Sequence, residues 1–519
     1  MKRAWMLCVG VAALWAGACN NSGGSSVGPP PPTNLFSNSN LQGQYAFSMT
    51  GTDASTGPEL PFTRIGSFIA DGKGGITGGT EDVNLFQTGS NELEFTGGSY
   101  TINGDGHGTL NLIDSSGTLT FSVTMTTSNS GYLIDLPSDG LSAGNGSFVK
   151  QNTASFQVSG LSGNYAFDIS GLDANGLAES VVGQLVAQPQ STTLGNLSGF
   201  VDDNDDAQIN GGVAGAAAIS GTYAPDSLQP NDLANFGRGV FSIGGINGVF
   251  YVVGPNQVKL MEKTSGGTLA GDAFLQTSVP TTAAGLNGGF VYVLGGSGSG
   301  VPITRGGKFS ASSGALSSII VDNNNAGTVL SLATSSGTYT VDPSGNGRGT
   351  ITYTVAGQKN PFTYVFYMIS PTQAFVQDQS LNIVEDGTML AQGTGTISDA
   401  SLAGNYAINW SGVTSTGNGT AIGEEDLVGA TTLASESLTG TVDINEFSSG
   451  KQGTQVGMTG TLKLNGDPTS HNALTINLQS NPANNGITLF AYVAANNNVL
   501  IMGTQTVRIV AGVMSPQAP

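Results

Sequence analysis

A seven-residue string occurs four times along this chain, as LQGQYAF (41–47), LSGNYAF (161–167), LNGGFVY (286–292) and LAGNYAI (402–408). Deeper in each copy stands an Asp-x-Asn: Asp82 with Asn84, Asp202 with Asn204, Asp322 with Asn324, and Asp443 with Asn445. Successive aspartates are 120, 120 and 121 residues apart. So steady a period implies four tandem homologous units, and every other reading has to fit inside it. The units are bounded as 41–152, 161–276, 286–392 and 402–512.

Within a unit, short runs of Val, Ile, Thr, Phe and Tyr alternate with polar residues and are punctuated by Gly, Asn and Asp-Gly. These are the marks of strands joined by hairpins. VFYVVGPNQVKLM (249–261), YVFYMISPTQAFVQD (364–378) and LFAYVAANNNVLIM (489–502) each read as strand, turn and strand. Glycine, at 79 of 519 residues, has no Gly-X-Y period and would penalise helices. The expected fold class is all-β: four tandem antiparallel up-and-down units of about eight strands, closed as barrels in preference to sandwiches. Closure removes exposed sheet edges. The connections 153–160, 277–285 and 393–401 are short, which predicts a beaded rod of modest flexibility. GGSGSG (295–300) lacks the lysine of a phosphate loop and reads as a flexible turn.

The chain opens with Lys2 and Arg3, an apolar run over 4–15, and Ala16-Gly17-Ala18-Cys19. The run is too short to span a bilayer and suits a secretory signal, 1–18. The junction resembles a bacterial lipoprotein signal, with Ala16 where that family favours leucine, and the resemblance implies cleavage before Cys19 and lipidation of its thiol. Residues 19–40, rich in Gly and Ser with four prolines at 29–32, read as a tether. Cys8 leaves with the signal, so Cys19 is the one cysteine of the mature chain. The Gly-x-Tyr that opens each unit is similar to the Gly-x-Trp start of lipocalin- and avidin-like barrels. The order of motifs resembles the tandem L-x-G-x-Y-A-F repeat of uncharacterised bacterial surface lipoproteins. The first unit keeps its second motif in Gly66, Ser67, Phe68, Ala70, Asp71 and Gly72, whereas the fourth has GEEDL (423–427) there. That resemblance implies an exported, membrane-anchored location at the outer membrane or cell surface, and no activity.

Both histidines fall at one turn of the unit, His107 in the first and His471 in the fourth, where the others carry Arg238 and Arg348. With the four Asp-x-Asn pairs they form a repeated acceptor–donor set. Such a set either grips a sugar or peptide group, or is structural, the aspartate capping a turn and the base offsetting nearby charge. Asp202, Asp203, Asp205 and Asp206 are a weak calcium candidate that reads more simply as a solvated loop. Trp410 and most Phe and Tyr read as core. A formal charge of −20 argues against a nucleic-acid partner. With two Cys and two His, no cofactor or metal is expected, and no catalytic residue is assigned.

The functional expectation is a lipid-anchored, non-catalytic envelope protein displaying four β modules for adhesion or ligand capture, its membrane contact made by the N-terminal lipid and its ligand a glycan or protein. A structural spacer without ligand is the alternative, and a secreted hydrolase with a divergent site ranks behind both.

Overall fold

The computed structural model describes residues 35–55, 57–205, 208–210, 215–355, 361–393, 395, 397–415, 421–447, 451–464, 472–479 and 486–519. The strands form four eight-stranded antiparallel barrels, built from Gln42–Lys150, Gly163–Leu275, Gly288–Ala391 and Gly404–Pro516. Each strand pairs with the next, and the last pairs with the first, as Tyr45 with Lys150 and Tyr406 with Pro516. The fourth strand of the first barrel is interrupted at Thr96, between Gly89–Phe95 and Gly97–Ile102. The last strand of the fourth barrel runs four residues past the expected boundary at 512.

Period-2 alternation decides what fills each barrel. From the first strand of barrel one, Tyr45, Phe47 and Met49 point inward to join Phe68, Phe121 and Phe148. Gly66 is required across from Phe47, because a Cβ there would lie 2.6 Å from the ring; Gly183 meets Phe167 in the same way in barrel two. The glycine opening each first strand has positive φ, from +108° at Gly43 to +157° at Gly404, which disfavours any side chain.

Where barrels meet, the outward faces are buried as well. Ala46 and Ile65 of barrel one pack on Val249 and Tyr251 of barrel two. Ala166 and Val182 of barrel two pack on Val365 and Tyr367 of barrel three. Val291 and Val293 of barrel three, Leu500 and Met502 of barrel four and Tyr132 and Ile134 of barrel one share a single apolar cluster. The arrangement is therefore a closed ring, with barrel four against barrel one, and the beaded rod is corrected. The connections are packed parts of the ring: Phe156 and Val158 are buried in the core of barrel two. Gly295–Gly298, expected as a flexible turn, lies inside the strand Gly288–Gly298.

Candidate functional site

Asp82 and Asn84 lie on the outward face of the third strand of barrel one, and both are fully buried. Asp82 accepts from Arg238 Nε and Nη2 at 2.7 and 2.8 Å and from the Tyr251 hydroxyl at 2.8 Å, all from barrel two. Asn84 Nδ2 donates to the carbonyls of Glu262 and Gly267 at 2.9 and 2.8 Å. The next junction repeats this: Asp202 takes Arg348 at 2.7 and 2.8 Å and Tyr367 at 2.8 Å, and Asn204 donates to Asp378 and Ile383. At the third, Asp322 accepts from Tyr492 and Asn324 donates to Gly503 and Arg508. The fourth closes the ring. Asp443 pairs with His107 Nε2 of barrel one at 3.1 Å, and Asn445 donates to Asp135 and Ser142.

Eleven of the twelve repeated positions are described, and at three junctions the aspartate meets the base of the following unit, not its own: Asp82 with Arg238, Asp202 with Arg348 and Asp443 with His107. The aspartates sit in mid-strand, so the expected turn-capping role is corrected. Each aspartate makes a bond between barrels, and Asp202 and Asp443 also accept from Asn210 and Gln455 of their own barrels. Burial pushes the Asp443 carboxyl up, but the His107 bond and charge outweigh it and leave it below its ordinary range. His471, Asp206 and Cys19 lie outside the described residues.

Sequence reading missed two further members of each junction. Tyr251, Tyr367 and Tyr492 complete the aspartate's shell at three junctions; at the fourth the matching position, opposite His107, is Thr124, whose hydroxyl makes no hydrogen bond, and Ser122 bonds to Asp443 instead. A glutamine ends each unit and reaches the next: Gln151 to Val252 O, Gln276 to Met368 O, Gln392 to Val493 O and Gln517 to Met125 O, at 2.7 to 3.1 Å. The signal was present, since a glutamine follows each last strand within a residue or two.

The acidic run 202–205 is strand, not a solvated loop. Asp202 faces barrel three and Asp203 faces the interior of barrel two, so one cation cannot reach both. Trp410 is buried in barrel four, and its Nε1 donates to Glu425 at 3.2 Å.

The barrel interiors differ in one respect. Barrel one holds Arg64, paired with Glu81 at 2.9 Å. Barrel three holds Arg305, paired with Asp378 and Glu385 and 4.9 Å from the centre of the Phe362 ring. Barrel four holds Arg508, paired in two-pronged fashion with Glu425 at 2.6 and 2.8 Å. In barrel two the register that places Arg64 opposite Met49 and Arg305 opposite Leu294 puts Val181 opposite Ile169. A cavity of 140 Å³ fills the space, lined by Phe167, Val181, Leu197, Phe241, Ile246 and Phe250 among others, with Glu179 and Asp203 as its acidic members. Burial, then the charge of Asp203, raises Glu179 to about 8; burial, then Asp205, raises Asp203 to about 6.

Between the barrels, polar side chains of first and last strands converge, joined by Lys259 from the seventh strand of barrel two. Asn145 donates to Trp410 O at 3.0 Å, Ser170 to Asp386 at 3.2 Å, and Lys259 to Ser48 at 2.8 Å. Asp168 and Asp386 share a hydrogen bond across the junction of barrels two and three. Burial raises both, Asp386 to about 7.

No family model matches this chain, and no curated protein does. Among solved structures, a transferrin-binding protein B double mutant from Haemophilus parasuis is 10% identical, with 74% of this chain and 82% of that one covered at a TM-score of 0.19. An intact TbpB with N and C lobes is 10% identical, covering 76% and 85% at 0.15. OccK5 (OpdH) of Pseudomonas aeruginosa is 8% identical, covering 91% and 95% at 0.12. At such TM-scores none of these likenesses bears on function.

Proposed function

We propose that this is an exported, lipid-anchored envelope protein, non-catalytic, that captures a small ligand inside its second barrel. The observation that carries the reading is the contrast among interiors: three are crossed by an arginine–carboxylate pair, and the second is hollow and apolar. Eight-stranded barrels are just wide enough to be filled by side chains or to hold one small ligand. The cavity compares in size with an engineered protein cavity of about 150 Å³ that stays dry and binds benzene. The closed ring supports capture over multivalent adhesion, because the repeated polar groups of the units are turned toward one another. The signal-like start, Cys19 and the tether support the location.

The test is saturable binding of 1-hexanol to the mature chain, followed by calorimetry, beside a Leu197→Trp variant that fills the cavity. Binding to the parent and its loss in the variant is the expected result. Absence of saturable binding to the parent would leave the spacer reading in its place.

A further inference from the structure

The end of the second barrel carries a charge defect that its sisters do not share. Three anchors align barrels two and four. The opening Tyr165 corresponds to Tyr406, Ser170 opposite Ala270 corresponds to Ser411 opposite Ala511, and the junction asparagines bind matching carbonyls. Asn84 Nδ2 reaches Glu262 O and Gly267 O; Asn324 Nδ2 reaches Gly503 O and Arg508 O. Gly267 therefore stands where barrel four has Arg508, and Glu262 where it has Gly503. By the same register Glu179, opposite Gly171, matches Glu425, opposite Gly412. In barrel four the glutamate is neutralised by its own barrel's guanidinium. In barrel two that guanidinium is replaced by glycine, and a second glutamate occupies its space: a Cβ on Gly267 would lie 2.1 Å from Glu262 Oε2.

The result is an uncompensated acidic end. Glu179 and Asp203 project from adjoining strands toward the barrel lumen, Glu262 stands on a strand further round the same barrel, and the charges felt by Glu179 are those of Asp173, Asp203, Asp205 and Glu262. None of the cations among the described residues pairs with Glu179, Asp203 or Glu262. Oδ1 of Asp203 is buried without a hydrogen-bond partner. The remainder of the cavity wall is apolar and aromatic. A site of this kind, with a hydrophobic sleeve and carboxylates at one end, discriminates by charge at the head and by size along the body.

We infer that the second barrel binds a cationic amphiphile, a compact apolar body bearing one protonated amine or amidine, with the cation seated against Glu179 and Asp203 where the sister barrel has Arg508. This rests on the capture reading above and specifies its ligand class. The ligand's cation completes the charge pairing that the other three barrels make internally. The apolar body lies along Phe167, Val181 and Phe250.

The experiment compares n-hexylammonium, 1-hexanol and n-hexanoate, matched in length, by calorimetry on the full mature chain near pH 8. The amine is expected to bind at least about tenfold more tightly than the alcohol, with hexanoate weaker still. Equal affinities for amine and alcohol would overturn the charge assignment while leaving capture standing; no binding by any of the three would overturn both. The Glu179→Gln/Asp203→Asn variant should reduce the amine to the level of the alcohol without loss of alcohol binding. Retained amine preference in that variant would place the cation elsewhere and refute the site. Should the variant not fold, salt dependence in the parent decides, since only a charge-seated amine weakens between low and high salt relative to the alcohol.

Discussion

Asp82→Ala removes a carboxylate that accepts two bonds from Arg238 and one from Tyr251, with Asp82 and Arg238 both fully buried. Removing one partner of a buried ion pair costs about 3–5 kcal/mol, and an orphaned hydroxyl about 1 more. Arg238 keeps Asp226 and Glu92, each at 2.9 Å, which holds the total near the low end, about 3–4 kcal/mol. How that energy shows in a melt depends on the ring. If the four barrels unfold as one unit of about 480 residues, the unfolding entropy is about 1 kcal/mol/K and the midpoint falls by about 3–4 °C. If barrels unfold singly, each of about 110 residues, barrels one and two fall by about 15 °C and barrel four does not move. Trp410 is the only tryptophan among the described residues, so its fluorescence reports barrel four alone, while circular dichroism reports all four. The ring predicts that both probes shift together by the small amount. A Trp410 transition unchanged from the parent, beside a large shift in dichroism, would refute the coupled ring.

Further outcomes follow from the same structure. Buried carboxyls held above their unfolded values stabilise the fold fully at acidic pH and lose that contribution as pH rises through their folded values. Asp386 at about 7, Glu81 at about 7 and Glu92 at about 8 therefore predict a melting temperature that declines from pH 5 to 8.5, and Asp386→Asn should flatten the decline. Because Glu179 titrates near 8 and Asp203 near 6, affinity for n-hexylammonium should rise between pH 6 and 8; calorimetry in buffers of different ionisation heat should reveal proton release on binding. Gly267→Arg should restore the internal ion pair, abolish amine binding and leave the fold intact by dichroism, the displaced Glu262 carboxylate being the flexible end of its side chain. Mass spectrometry of the N-terminal peptide of protein recovered from membranes should show Cys19 acylated.

The barrels were legible because hairpin punctuation and period-2 alternation are local properties, repeated four times. The ring was not, and its strands show why. Alternation places Asp82 and Asn84 on one face and Glu81 and Val83 on the other, but it cannot say which face is lumen when the outside of the barrel is also buried. Proximity in sequence then misled: His107 lies 25 residues after Asp82, while the true partner, Arg238, lies 156 residues after it. The acidic run at 202–205 failed for the same reason, since its residues divide between a junction and a lumen. Trp410 was read as core and is core. The hollow barrel needed register, because the exchange of Arg508 for Gly267 and Gly503 for Glu262 is visible only once strands are paired.

The glutamine that closes each unit has a consequence for how many units there are. Gln517 binds Asp105 O and Met125 O of barrel one with the geometry by which Gln151, Gln276 and Gln392 bind their successors. A rod tolerates any number of repeats, so recombination between near-identical copies can lengthen or shorten it by whole units. Here a fifth copy would have no junction to enter and a loss would leave two buried ionic faces in water. Copy number is thereby set by closure of the ring, and not by the stability of any one unit.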